Sequence, residues 1–410
     1  MAEKLQSILD EVEAKKKTDL PAGFPVSEPE TDDEPVSSEP SKKKNKFLSF
    51  IKTIFPFKGD KPLELIRKTV FLGSLITGII CLTMILGDVN ATSEHVKQHN
   101  EIVDEIKQIE LTGKIPLDAK TVDEVKAQVP GILDKYISTY DRNNDMVGFV
   151  NIPGTNINYP VMQYRFQRED GAWDGSNVYY LKKDIDHRDS KHGTIYADYN
   201  QPVSAEGRPN NTVLYGHNMG DGTMFAHATR YYPYLHSYRG DLSYYINNPL
   251  VYFDTLWEEG VYKVFAVMYV HTEENKYDDV YDYFRKHMFP DKESFYDFTV
   301  NILDRSAFYN PDVDLEYGDE FLTLSTCYYA PLGENVDARV AVFARRVREG
   351  ESADVDTTKA YVNTSPLYFK LYYQWLGGTW AGRNWDLSMV KGLEDYIKQN
   401  DVVFPQDLAY

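Results

Sequence analysis

The chain has 410 residues and carries 44 Lys/Arg against 63 Asp/Glu, a formal charge of −19; such a length holds one large or two ordinary domains plus tails. The 13 basic and 13 acidic residues of positions 1–68 cancel, so the whole imbalance falls on the C-terminal portion and argues against nucleic acid as its partner. Two cysteines, Cys81 and Cys327, leave no disulfide framework to build.

In chain order, residues 1–18 place Leu5, Ile8, Leu9 and Val12 on one helical face, a length at which an isolated helix is marginal. Residues 19–46 are rich in Pro, Glu, Ser and Lys and bury too little surface to offset their chain entropy, so 1–68 reads as a largely disordered tail. Residues 69–87 carry no charge over 19 positions, enough for a helix to cross the hydrocarbon core of a bilayer. Nine Lys/Arg lie between Ser41 and Lys68 against Asp60 and Glu64, whereas Asp88 and Glu94 follow the stretch. By the positive-inside rule the N-terminus is cytoplasmic and 88–410 lies outside, in a single-pass membrane protein.

Residues 88–140 read as a helical stalk, with helices over 92–111 and 121–140, a capping box at Thr121–Glu124 and an interruption at Pro130-Gly131. From Met146 the pattern changes to short strands. Candidates are 147–163 around a Pro153-Gly154 turn, 193–199, 211–217, 250–255, 261–271, 321–326 and 338–347. Residues 277–309 read as helical, with Tyr281, Phe284, His287 and Met288 at helical spacing and a break at Pro290. Many short strands with few helices predict a closed or nearly closed β-barrel over 141–349. Beyond it, 350–410 predicts a helical extension with one helix from Ser365-Pro366 through Leu376, stopped by Gly377-Gly378, and a second capped by Asp386. Trp375, Trp380 and Trp385 in this extension either pack its helices or form a lid over the site.

Cys327 ends the strand candidate Phe321-Leu-Thr-Leu-Ser-Thr-Cys327, and Pro331 and Gly333 break the run after it. It is the single thiol beyond the apolar stretch, open to three readings: core residue, intermolecular bridge or nucleophile. Nucleophilic chemistry also needs a proton shuttle and a cation for a developing oxyanion. His217 follows Gly216 where a strand hands over to the polar turn Asn218-Met-Gly-Asp-Gly-Thr223, which leaves it accessible. If the strand 338–347 pairs antiparallel with 321–327, Arg339 lands beside Cys327. The acidic residues are scattered rather than spaced for a metal, and no glycine-rich phosphate loop occurs; neither metal nor cofactor is expected.

Three stretches carry a resemblance: Thr323-Leu-Ser-Thr-Cys327 with Arg339, Tyr215-Gly-His-Asn-Met-Gly-Asp-Gly-Thr-Met-Phe225, and Val150-Asn-Ile-Pro-Gly-Thr-Asn-Ile-Asn-Tyr-Pro-Val-Met-Gln163. Over about residues 115–348 the chain resembles the class B sortases, in motif order and in the helical insertion before the Cys strand. The resemblance implies a mainly β fold with helical additions, a sortase-type barrel, and a cysteine transpeptidase of the Gram-positive cell surface. Such an enzyme cuts a secreted protein's C-terminal sorting motif after Thr and holds the fragment as a thioester. It then passes the fragment to an amine of a peptidoglycan precursor or a pilin. Cys327 would be the nucleophile, His217 the proton donor and acceptor, and Arg339 the oxyanion stabiliser. Ser325, Thr326, Tyr215 and Asn218 would shape the substrate pocket. A cysteine hydrolase would share the three principal residues, and a non-catalytic scaffold would need none of them. Three features depart from the family: Tyr328-Tyr329 where an acidic residue often follows the Cys, the long N-terminal tail, and the extension 350–410.

Overall fold

The computed structural model describes residues 51–235, 240–273 and 280–404; the helix and disordered segment expected within 1–46 lie outside the described residues. The chain divides into two units, Met1–Cys81 and Leu82–Tyr410. In the first, the described residues are dominated by the start of helix α1 (Pro62–Thr112), which begins on a proline whose missing N–H is one the first turn leaves unused. This helix is long and apolar enough to cross a membrane, and its most apolar window is unburied. It continues without a break through the expected stalk helix, because no proline intervenes. It stops at Gly113, whose φ of +65° lets its N–H return to the Ile109 carbonyl at 2.8 Å.

The second unit is built on a closed barrel. Its strands are β1 (Met146–Asn151), β2 (Asn158–Met162), β5 (Ile195–Ala197), β6 (Asn211–Tyr215), β7 (Leu250–Thr255), β8 (Val261–His271), β10 (Phe321–Cys327) and β11 (Ala338–Arg346). They pair in the order β1-β2-β5-β6-β10-β11-β8-β7, and β7 returns to β1. Two small two-stranded sheets, β3 (Arg165–Gln167) with β4 (Trp173–Gly175) and β9 (Phe308–Tyr309) with β12 (Tyr361–Val362), lie outside it. Side chains alternate across each strand. On β10, Leu322 and Leu324 join the cluster inside the barrel, whereas Phe321 joins a second cluster on its outer face. Cys327, Ser325 and Thr323 therefore share the outer face with Phe321. On β11 the same alternation turns Val340 and Val342 inward and leaves Arg339 on the outer side with Phe343.

Helix α4 (Lys292–Arg305) covers the outer cluster through Phe295, Phe298 and Ile302, and starts at a reciprocal cap between Asp291 and Ser294. It is shorter than the predicted 277–309. Residues 280–290 form only a 3₁₀ turn, Tyr283–Arg285. The reason is tertiary: the His287 carbonyl accepts from the Asn211 backbone N–H and the Lys286 carbonyl from the Asn211 side chain, both at 3.0 Å. These carbonyls are committed to the barrel, and Pro290 disfavours α geometry in the residue before it.

On the opposite flank α2 (Ala119–Gln128) and α3 (Ile137–Arg142) pack with the C-terminal half of α1. The predicted cap at Thr121 is displaced by three residues: Asp118 caps α2, accepting the Thr121 N–H at 3.0 Å, since a carboxylate placed there satisfies the same orphan donors. In the extension, α5 (Lys370–Leu376) starts later than the Ser365-Pro366 of the predicted helix; ahead of it the Leu367 N–H donates to the Asp304 carbonyl at 2.8 Å. Asp386 caps only the 3₁₀ turn Leu387–Met389, and α6 (Leu393–Asn400) restarts after Gly392, whose φ is +76°. Trp380 and Trp385 are buried, whereas Trp375 is 63% exposed.

Candidate active site

The antiparallel register of β10 and β11 places Cys327 directly opposite Arg339. The Arg339 guanidinium lies 2.7 Å from Cys327 Sγ through Nη1, while Nη2 donates to both carboxylate oxygens of Asp337 at 2.8 and 3.0 Å. Burial pushes this guanidinium down, but Cys327, Asp337 and Tyr283 outweigh burial and hold it above its ordinary value; it is a fixed cation at the sulfur. Asp337 is itself held by Thr272, whose hydroxyl donates to its carboxylate at 2.6 Å.

His217 reaches the same end of the barrel from β6, which runs parallel to β10 with Tyr215 opposite Ser325. Beyond the paired residues the Gly216 N–H donates to the Ser325 carbonyl and the Thr326 hydroxyl to the Gly216 carbonyl. The two chains therefore stay in step up to His217 and Cys327. A side chain at 216 would collide with Ile195 and Phe225, so the residue before His217 is held to glycine by packing. His217 Nε2 lies 2.9 Å from the Leu181 carbonyl. A carbonyl only accepts, so Nε2 carries the hydrogen and Nδ1 is the nitrogen free to exchange a proton.

A cleft of about 660 Å³ opens on this end, with Ser325, Arg339, Tyr196, Tyr215, Tyr283 and Leu181 among its lining residues. Ser325 bonds Tyr283 at 2.7 Å, and the Tyr215 hydroxyl donates to Asp198 at 2.8 Å. Burial pushes the Tyr283 hydroxyl up to about 12, so this wall is neutral and aromatic. Of the four expected pocket residues, Ser325 and Tyr215 line the cleft. Thr326 is buried and spends its hydroxyl on the strand crossing, while the exposed Asn218 donates to the Cys327 carbonyl at 2.9 Å and fastens one loop to the other.

Sequence reasoning missed two residues. Asp337 was legible in principle, two positions before Arg339 and so on the same face of an extended chain. Tyr329, noticed only as a departure, lies next to the site, and the neighbouring Cys327 together with burial pushes its hydroxyl up to about 12. Among the described residues no group of three or more His, Cys, Asp or Glu is arranged to hold a metal.

The structure thus brings a cysteine, an arginine on its sulfur and a histidine to one end of the barrel. Residues 150–347 match the family model of the sortase domain. Two curated relatives are sortase B of Listeria monocytogenes, 29% identical over 215 residues, covering 51% of this chain and 75% of that protein, and sortase B of Staphylococcus aureus, 28% identical over 185 residues, covering 45% and 64%. Among solved structures, the S. aureus sortase B–substrate complex aligns over 63% of this chain and 98% of its own, at 23% identity and a TM-score of 0.48. A sortase B crystal structure from B. anthracis covers 63% and 99%, at 24% identity and a TM-score of 0.46.

Proposed function

We propose that the protein is a class B sortase, a membrane-anchored cysteine transpeptidase. The observation that carries this reading is the 2.7 Å approach of Arg339 Nη1 to Cys327 Sγ: a cation at the sulfur is also at the carbonyl oxygen of any acyl group bound there. The Cys327 thiolate attacks the scissile carbonyl after the Thr of a sorting motif laid in the cleft, and Arg339 receives the oxyanion. As the C–N bond breaks, His217 protonates the leaving amine from Nδ1, and the acyl fragment stays on Cys327 as a thioester. An incoming amine, from a peptidoglycan precursor or a pilin lysine, gives its proton to His217 as it attacks, and the thiolate leaves. Ser325 and Tyr215 line the peptide's path, and Asn218 and Thr326 hold the two loops that frame it. Helix α1 anchors the protein through residues 69–87 with its N-terminus cytoplasmic, which puts the cleft on the side where secreted substrates arrive.

The test is intact mass spectrometry of the detergent-solubilised chain with Asn-Pro-x-Thr and Leu-Pro-x-Thr peptides, with and without an amine. The expected result is a thioacyl adduct on the wild type, none on Cys327→Ala, and a ligated product that requires the amine. Adduct followed only by hydrolysis in the presence of several amines would defeat the transpeptidase reading.

A further inference from the structure

Two histidines of α1, His95 and His99, lie beyond the apolar stretch 69–87 and face the barrel on the side of the His217 loop. The His95 ring stacks on His192, centroids 4.3 Å apart and planes within 7°. His192 is buried and bonds Asp221 at 2.9 Å. One turn along α1, the His99 ring packs on Tyr159 at 4.4 Å, and the Tyr159 hydroxyl accepts the Met224 N–H at 2.9 Å. Asp221 and Met224 both belong to the loop that His217 opens, and the next residue, Phe225, closes that loop with its N–H on the His217 carbonyl at 2.9 Å. Met224 sits at a φ of +57°, a conformation a methionine keeps only where its surroundings impose it.

We propose that His95 and His99 are positioning residues for the catalytic loop 217–225, acting through His192–Asp221 and Tyr159–Met224, and that their protonation in acid releases it. The inference rests on the proton-shuttle role of His217 proposed above.

The chemistry favours neutral rings in the packed state. His95 Nε2 and His99 Nδ1 are buried without a hydrogen-bond partner among the described protein atoms, which a neutral nitrogen tolerates better than an N–H of an imidazolium. The groups facing His95 are His192 and His99, both disfavouring its charge, and Asp221, favouring it; Lys107 disfavours charge on His99. The other charges around this face are engaged with one another. Arg142 and Arg188 pair with Asp186, Lys183 with Asp189, Lys97 with Glu101, and Lys191 with Asp88. Asp184 accepts the N–H groups of Asp186 and Arg188, and Glu94 opens on the outer cleft. Burial of both rings lowers them from 6.5 to about 4. Their packing is therefore fully favourable above pH 6.5 and is lost as the pH falls from there towards 4. By proton linkage, each ring at pH 5.5 shifts the closed–open balance of this contact about tenfold.

The experiment is backbone hydrogen exchange of the full chain in detergent at pH 7.5 and 5.5, corrected for intrinsic exchange chemistry, run beside peptide transpeptidation. In the wild type, acid should raise exchange over 218–225 by about tenfold or more and lower turnover. In His95→Phe/His99→Phe, which keeps the rings and refuses the proton, exchange should stay within about twofold of its neutral value. A second variant, His95→Lys, installs a permanent charge and should open the loop already at pH 7.5. An acid response equal in wild type and double variant, or a His95→Lys loop as closed as wild type, overturns the proposal. Exchange that responds as expected without peptide turnover at any pH sustains the coupling and defeats the transpeptidase. Turnover with acid-independent exchange does the reverse.

Discussion

Arg339 stands between Cys327 Sγ and the Asp337 carboxylate, so one planar fork meets two anions at once. Lysine presents a single point charge and cannot. Arg339→Lys should therefore lose nearly as much as Arg339→Ala, on the order of 10²-fold in kcat/KM for thioacyl formation, measured by stopped acylation with a sorting peptide. Equal activity of Arg339→Lys and wild type would show that charge alone suffices. Tyr329 is the second residue-scale case. The neighbouring Cys327 and burial push its hydroxyl up to about 12, so it keeps its proton, and donation to the Cys327 thiolate would stabilise the reactive form. Tyr329→Phe should slow iodoacetamide alkylation of Cys327 at pH 7 by about fivefold, the worth of one hydrogen bond near 1 kcal/mol. Unchanged alkylation would place the tyrosine on the rim with no part in the thiol's reactivity.

At the scale of elements, the joint between the barrel and its extension is ionic where it leaves β11. Arg345 is fully buried and donates to both oxygens of Glu351 at 2.6 and 2.7 Å, and Lys263 of β8 bonds the same carboxylate at 2.7 Å. Removing the carboxylate leaves two buried cations facing each other, so Glu351→Gln should cost about 3 kcal/mol, the usual cost of breaking a buried pair, read as a lowered Tm. The Arg345 guanidinium, with Lys263, holds the Glu351 carboxyl well below its ordinary 4.5. The contribution is therefore complete above pH 4.5 and fades as the pH drops through the lowered value, and the Tm gap between variant and wild type should shrink on acidification below 4.5. A gap independent of pH would mean that Gln disturbs packing rather than charge. The same scale explains the shortened helix before β10: residues 281–288 had helical spacing, but the carbonyls of Lys286 and His287 are claimed by Asn211.

For the whole molecule, the extension is part of the core. Tyr368 and Phe369 belong to the cluster inside the barrel, and Trp385, Met389, Leu393 and Phe404 to the cluster beneath α4. Asp304 of α4 receives Trp385 Nε1 at 2.7 Å and Arg383 Nε at 2.8 Å. A removable lid would bury little. This segment completes two clusters, so a chain ending at Val347 should lose its cooperative melt and bind an apolar dye, and deletion should abolish activity. A truncated chain that melts as wild type and turns over faster would restore the lid reading.

By itself the sequence determined the elements whose signal is local: the apolar stretch within α1, the alternating strands, the stop at Gly377, and which side chains were candidates for nucleophile, shuttle and cation. The pairing of Cys327 with Arg339 was legible too, because two strands joined by a single loop have few registers that keep their apolar residues on one face. The Leu181 carbonyl that sets the His217 tautomer, the histidines of α1 on the His217 loop, and the burial of the extension were decided only by tertiary structure. Each is a contact between segments far apart in the chain, made by backbone groups or by side chains of ordinary local pattern. Such contacts leave no periodicity in the sequence and exist only once the strands have fixed who is next to whom.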